Sequence, residues 1–104
     1  VFVEGAGGFY SPIADKALNS DLAVQLELPV IIVVKDELGA ISQALLTIDA
    51  VLSKKLKIAF VVLNEVRENT LSNLEALRSY TDVPVLKFSI KNSELFYLEA
   101  EKLI

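Results

Sequence analysis

The sequence predicts an α/β fold, a parallel sheet with helices on both faces. Three observations predict it. Short runs of β-branched and other apolar residues recur along the chain and are continuous rather than alternating, which marks strands covered on both faces. Between them lie stretches whose apolar positions keep helical spacing. Strand and helix alternate, and that order calls for right-handed crossovers between parallel strands.

Val1-Phe2-Val3 reads as a first strand, ending at Glu4 and the glycine cluster Gly5-Ala6-Gly7-Gly8, the punctuation expected after a buried parallel strand. A loop follows through Pro12. Asn19 or Ser20 caps a short helix with Leu22, Ala23 and Leu26 on one face; it stops before Pro29, since a proline disfavours helical geometry in the residue ahead of it. Residues 29–34 form a β-branched strand. From Leu38 to about Lys54, the positions Ile41, Ala44, Leu45, Ile48, Val51 and Leu52 keep helical spacing, and Lys54 and Lys55 suit the negative end of the helix dipole. Residues 57–63 make the next strand, which ends at Asn64. Asn69 caps a further helix with Leu71, Leu74 and Leu77 inward. Residues 83–88 make the last strand, and Ser93 starts a terminal helix carrying Leu95, Phe96, Leu98 and Leu103.

Composition excludes several classes of chemistry. The 104 residues contain no Cys and no His, which removes disulfides, thiolate sites, a Cys nucleophile, the Ser/His/Asp triad and most zinc chemistry. The net charge is −4 and the 10 Lys and Arg are scattered, whereas neutralising a phosphate backbone needs them clustered, so no nucleic-acid partner is expected. The longest apolar run, residues 28–34, is too short for a bilayer, so no membrane partner and a cytoplasmic location are expected. Residues 1–104 are expected to form a single partial domain, because Val1 opens inside an apolar run with no lead-in.

In an open parallel sheet, ligands bind beyond the carboxyl ends of the strands. Three segments fall there: residues 4–8, residues 35–39, and Asn64-Glu65. Glu4 followed by residues without bulk lets a divalent cation and phosphate oxygens approach the backbone, though a turn with a solvated Glu reads the same way. Gly39-Ala40-Ile41-Ser42 opens the best helix, where amide groups suit a carboxylate or phosphate, and is equally a plain glycine entry to a helix. Asn64 can hydrogen-bond a nucleobase edge or simply satisfy a turn. Lys35, Asp36 and Glu37 read as a solvated loop, and Tyr80 and Tyr97 as core or rim aromatics. No Gly-x-x-x-x-Gly-Lys-Ser/Thr motif occurs in the chain.

Taken together, residues 1–13 (Val-Phe-Val-Glu-Gly-Ala-Gly-Gly-Phe-Tyr-Ser-Pro-Ile), 28–34 (Leu-Pro-Val-Ile-Ile-Val-Val), 38–47 (Leu-Gly-Ala-Ile-Ser-Gln-Ala-Leu-Leu-Thr) and 60–66 (Phe-Val-Val-Leu-Asn-Glu-Val) resemble the dethiobiotin synthetases, in order and with the spacing of that family. The likeness thins to Val83-Pro84-Val85-Leu86 afterwards. It implies a P-loop NTPase-like fold, a homodimer, ATP and Mg²⁺, and ring closure of 7,8-diaminopelargonic acid with CO2 to dethiobiotin in biotin synthesis. By the same resemblance Glu4 is the Mg²⁺ ligand, and the backbone from Gly5 through Ala6 and Gly7 to Gly8 lies beside the substrate amines and ATP phosphates. Asn64 contacts adenine with Glu65 beside it. Gly39, Ala40 and Ser42 receive the substrate carboxylate at the dimer interface. The family usually shows Ile-Asn-His where this chain has Ile41-Ser42-Gln43, and a Gly and a Pro near adenine where it has residues 87–92. The family's phosphate loop and catalytic lysine fall outside these 104 residues, so no catalytic residue is assigned and the chain alone is expected to be inactive. Two alternatives stay open on the residues: another nucleotide-binding ligase, of the cobalamin amidating type, and a non-catalytic interaction domain.

Overall fold

A computed structural model describes residues 2–5 and 7–104. Its centre is a parallel three-stranded sheet in the order β3-β4-β5, built from Val30–Lys35, Ile58–Glu65 and Val85–Ser89. Helix α2 (Ala40–Ser53) crosses from β3 to β4, and α3 (Asn73–Tyr80) from β4 to β5. A short 3₁₀ turn, Ile90–Asn92, leads from β5 into α4 (Ser93–Glu101). Ahead of the sheet, β1 (Pro12–Ala14) and β2 (Ala17–Leu18) pair as a small antiparallel ribbon that runs into α1 (Asn19–Leu26). No helix among the described residues is long and apolar enough to cross a membrane.

The strand period of two explains why the apolar runs are continuous. Ile32, Val34, Val61, Leu63 and Val85 turn to one face, where Ala44, Ile48 and Val51 of α2 and Leu77 of α3 meet them in a buried core. Phe60, Val62 and Leu86 turn to the other and pack against Ala100 and Phe96 of α4. Helices therefore cover both faces of β4 and β5, but not of β3, where Val33 on the second face stays 63% exposed, so the expectation of a strand covered on both faces fails there. Burying a side chain such as Leu63 or Leu77 completely stabilises by about 1.5–3 kcal/mol. Arg78 adds a polar tie, donating from Nε and Nη2 to the Val85 carbonyl at 3.2 and 2.7 Å, which fixes α3 on β5.

The structure corrects several sequence expectations. Residues 2–4 form no strand: Phe2 is 79% exposed, and nothing among the described residues pairs with this segment, so its apolar character cannot be buried in a ladder. Val1 lies outside the described residues. The expected loop through Pro12 overlaps the β1 strand only at Pro12, where that strand starts. Helix α1 is not capped by the Asn19 or Ser20 side chain; Leu18 precedes the helix and donates its N–H to Asp21 Oδ2 at 2.8 Å, while Ser20 is buried. Asn69 does not cap α3, which starts four residues later at Asn73. In α4 only Ala100 is fully buried and Phe96 partly so; Leu95 and Leu98 stay exposed.

Candidate functional site

The inward stripe of the sheet changes character at its carboxyl edge. Two residues beyond Val34, Leu63 and Val85 on their strands come Asp36, Glu65 and Lys87, which alternation puts on the same face as that apolar core. Lys87 Nζ reaches Glu65 Oε2 at 2.8 Å and Asp36 Oδ2 at 3.5 Å, so one cation spans the ends of all three strands. The Asp36 side chain is only 2% exposed. Its Oδ1 accepts from Asn73 Nδ2 at 2.8 Å, and the same nitrogen donates to the Glu37 carbonyl at 3.1 Å. The Asp36 carbonyl accepts from Asn69 Nδ2 at 2.8 Å, and its N–H donates to the Asn64 carbonyl at 2.8 Å. The hydrogen bond to Glu65 holds the Lys87 ammonium above its ordinary pKa; burial opposes this, and the charges of Glu65 and Asp36 add to it.

Asp36 therefore does not belong to a solvated loop, as the sequence reading had it. A buried carboxylate must be paired and hydrogen-bonded, and Asn73 and Lys87 supply both needs. Extending the alternation of β3 one step past Lys35 would have placed it inward; the clustering of charge in residues 35–37 hid that signal. Glu37 is exposed, in line with the expectation for it; Lys35 is exposed too but is the last residue of β3 and not part of a loop. Tyr80 and Tyr97 are rim aromatics, both exposed.

Asn64 lies between Leu63 and Glu65 and so turns to the opposite face, in register with Phe88, whose ring packs edge-on against Phe96 at 5.3 Å. It is half-buried, and among the described residues its side-chain amide has no hydrogen-bond partner. At the same edge, just beyond β5, Ile90 is 86% exposed. A shallow depression there is lined by Glu65, Glu68, Asn69 and Thr70. A larger one, lined by residues such as Leu28, Pro29, Lys54 and Lys57, sits at the amino ends of the strands, away from this chemistry.

The entry to α2 shares the carboxyl edge. Gly39 precedes it with φ +92°, a conformation that side chains rarely adopt. The Ala40 N–H donates to the Glu37 carbonyl and the Gln43 N–H to the Gly39 carbonyl; among the described residues the amides of Ile41 and Ser42 have no backbone acceptor. Ala40 is buried in the core, and Ser42 is exposed with its hydroxyl at the helix mouth.

The glycine segment is placed differently. Glu4 is exposed, belongs to no strand, and makes no ion pair among the described residues. Gly5 lies against Asn19, where a Cβ would come within 2.9 Å of Oδ1, and Gly7 has φ +80° with Ser11 Oγ 2.8 Å from a would-be Cβ. Asn19 Nδ2 donates to the Gly8 carbonyl at 2.8 Å, and the Gly8 N–H donates to Ser11 Oγ at 2.8 Å. Close packing beside the β1–α1 unit thus favours glycine at Gly5 and Gly7, while Gly8 meets only ordinary contact. Ala6 lies outside the described residues. The structure brings Asn64, Glu65, Gly39 and Ala40 to one sheet edge; among the described contacts none joins Glu4 to them. No group of three or more Asp, Glu, Cys or His among the described residues could hold a metal ion.

A parallel sheet with helices on both faces and a polar carboxyl edge defines an open-sheet α/β protein, and its family match makes it a P-loop NTPase-like one. A family model described as an AAA domain matches residues 1–94, and the chain belongs to that family. Among curated proteins it is similar to ATP-dependent dethiobiotin synthetase BioD of Vesicomyosocius okutanii, 46% identical over 104 residues, covering 100% of this chain and 48% of that protein. The BioD of Ruthia magnifica is 44% identical over the same 104 residues, 49% of its length, and that of Aromatoleum aromaticum 46% identical over 89 residues, 40% of its length. The chain spans about half the length of the curated relatives it matches.

Proposed function

We propose that the protein to which this chain belongs is an ATP- and Mg²⁺-dependent dethiobiotin synthetase. One amine of 7,8-diaminopelargonic acid adds to CO2 and loses a proton to give a carbamate. A carbamate oxygen attacks the γ-phosphorus of ATP and ADP leaves, forming a carbamic-phosphoric anhydride. The second amine then attacks the carbonyl carbon, phosphate departs with the C–O bond electrons, and loss of a proton completes the cyclic urea.

The observation that carries this reading is the convergence at one sheet edge of Asn64, whose amide is uncommitted among the described residues, with a helix mouth that presents the amides of Ile41 and Ser42. An Asn amide matches the donor and acceptor of the adenine N6/N7 edge, and Glu65 stands beside it. The α2 mouth, with Gly39 giving backbone access and Ser42 a hydroxyl donor, suits the terminal carboxylate of the diamine through its amides and positive dipole end. The same reading carries a homodimer contact at this mouth. A single exposed carboxylate such as Glu4 fits Mg²⁺ bound chiefly through nucleotide phosphates and water, which is how that ion is usually held; the ion supplies charge neutralisation at the phosphates. Gly5, Ala6 and Gly7 are assigned beside those phosphates. Phosphate-gripping groups come from outside these residues, and the chain alone is inactive.

The test is the reaction of the full-length protein with diamine, bicarbonate, Mg²⁺ and ATP, followed by mass spectrometry. ADP and dethiobiotin should form in equal amounts and only when the diamine is present. ADP formation indifferent to the diamine would refute the proposal.

A further inference from the structure

We propose that Lys87 is a positioning residue that sets base selectivity through Asn64, an inference that rests on Asn64 being the nucleobase contact. Asn64 has two close neighbours that carry carboxylates: Glu65, the next residue of β4, and Asp36, whose N–H is hydrogen-bonded to the Asn64 carbonyl at 2.8 Å. Lys87 grips both, at 2.8 and 3.5 Å. It grips them from the reverse side of the sheet, because residues 63, 65 and 87 share the α2–α3 face while Asn64 turns to the other. Lys87 is also the residue before Phe88, the register partner of Asn64.

The strand ends on either side of Asn64 are therefore held together by a single ammonium group. Without it two carboxylates, one of them buried, lie side by side on adjacent strands with no cation between them. Like charges at such range repel, and the repulsion acts on the backbone segment that fixes where the Asn64 amide points. Asn73 still satisfies one Asp36 oxygen, so the change falls on the β3–β4 junction rather than on the α3 core.

An aligned Asn amide recognises adenine through two hydrogen bonds, to N6–H and N7, and hypoxanthine offers no N6–H. Steady-state kinetics of the full-length protein with ATP and with ITP therefore read the alignment directly. The wild type should prefer ATP over ITP, and Lys87→Met should reduce that preference by about fivefold or more through KM for ATP, the scale of one bidentate base contact, with kcat for the two nucleotides changing little. Lys87→Arg, which keeps the cation, should restore most of the preference. Should Lys87→Met fail to fold, Lys87→Gln, which keeps a donor for Glu65, takes its place with the same expected direction. A lower melting temperature with the ATP/ITP ratio unchanged would make Lys87 structural only and overturn the inference. A wild type active with both nucleotides and without preference would instead overturn the assignment of Asn64.

Discussion

Replacing Asp36 by alanine tests the polar layer where sequence and structure differ most. The substitution removes the charge-assisted hydrogen bond from Asn73, 2.8 Å long and buried, a class of interaction that contributes about 1.5–3 kcal/mol. Loss of the Lys87 contact adds little, because that contact is 3.5 Å long, Lys87 is 36% exposed, and its 2.8 Å partner Glu65 remains. Relief of the desolvated carboxylate acts in the opposite direction. Asn73 keeps its bond to the Glu37 carbonyl, so no large orphaned group is left behind. The net expectation is a loss of about 2 kcal/mol, with Asp36→Asn costing less because its amide oxygen can still accept from Asn73. Urea unfolding of the full-length protein, monitored by circular dichroism, measures it. A change within about 0.5 kcal/mol of wild type, the range of ordinary surface substitutions, would refute the buried and paired state of Asp36.

Other outcomes follow from the same contacts. Lys87 has a folded-state pKa above its ordinary value, so its contribution is fully present below the unfolded pKa near 10.5 and is lost as pH rises through the folded value. Wild-type melting temperature should therefore fall above that pH more steeply than that of Lys87→Met. Gly7→Ala combines a positive φ with a clash at Ser11 Oγ and should cost at least about 1–2 kcal/mol, whereas Gly8→Ala meets only ordinary contact at 3.5 Å and should be well tolerated in the same thermal melts. Leu63→Ala empties a fully buried position and should cost about 2–5 kcal/mol in the urea assay, while Val33→Thr, at a position 63% exposed, should stay within about 0.5 kcal/mol.

The central sheet and α2 were legible because their signals are local and redundant. Six helically spaced apolar positions mark α2, a β-branched run marks β3 and a continuous apolar run marks β4, so each boundary moved by only a residue or two. What escaped the sequence was decided by distant partners. Phe2 and Val3 have strand-like composition, but a strand exists only where another backbone accepts its ladder. Asn69 has the chemistry of a helix cap, yet its amide reaches the Asp36 carbonyl across 33 residues and its Oδ1 takes the Leu71 N–H instead. Asp36 and Lys87 are 51 positions apart in sequence and meet only because β4 lies between their strands. Of the candidate site, Asn64, Glu65 and the Gly39–Ser42 mouth were identifiable because strand ends and helix starts are read from local pattern. The cluster clamping them was not, because nothing local marks a Lys in β5 as the partner of a loop carboxylate.

The most direct measurement is a crystal structure of the full-length protein with ATP and Mg²⁺. Adenine should lie at the carboxyl edge with its N6/N7 side on the Asn64 amide, while Lys87 still bridges Glu65 and Asp36 on the reverse face. Nucleotide density at the amino edge of the sheet, or an adenine ring out of reach of Asn64, would contradict the account.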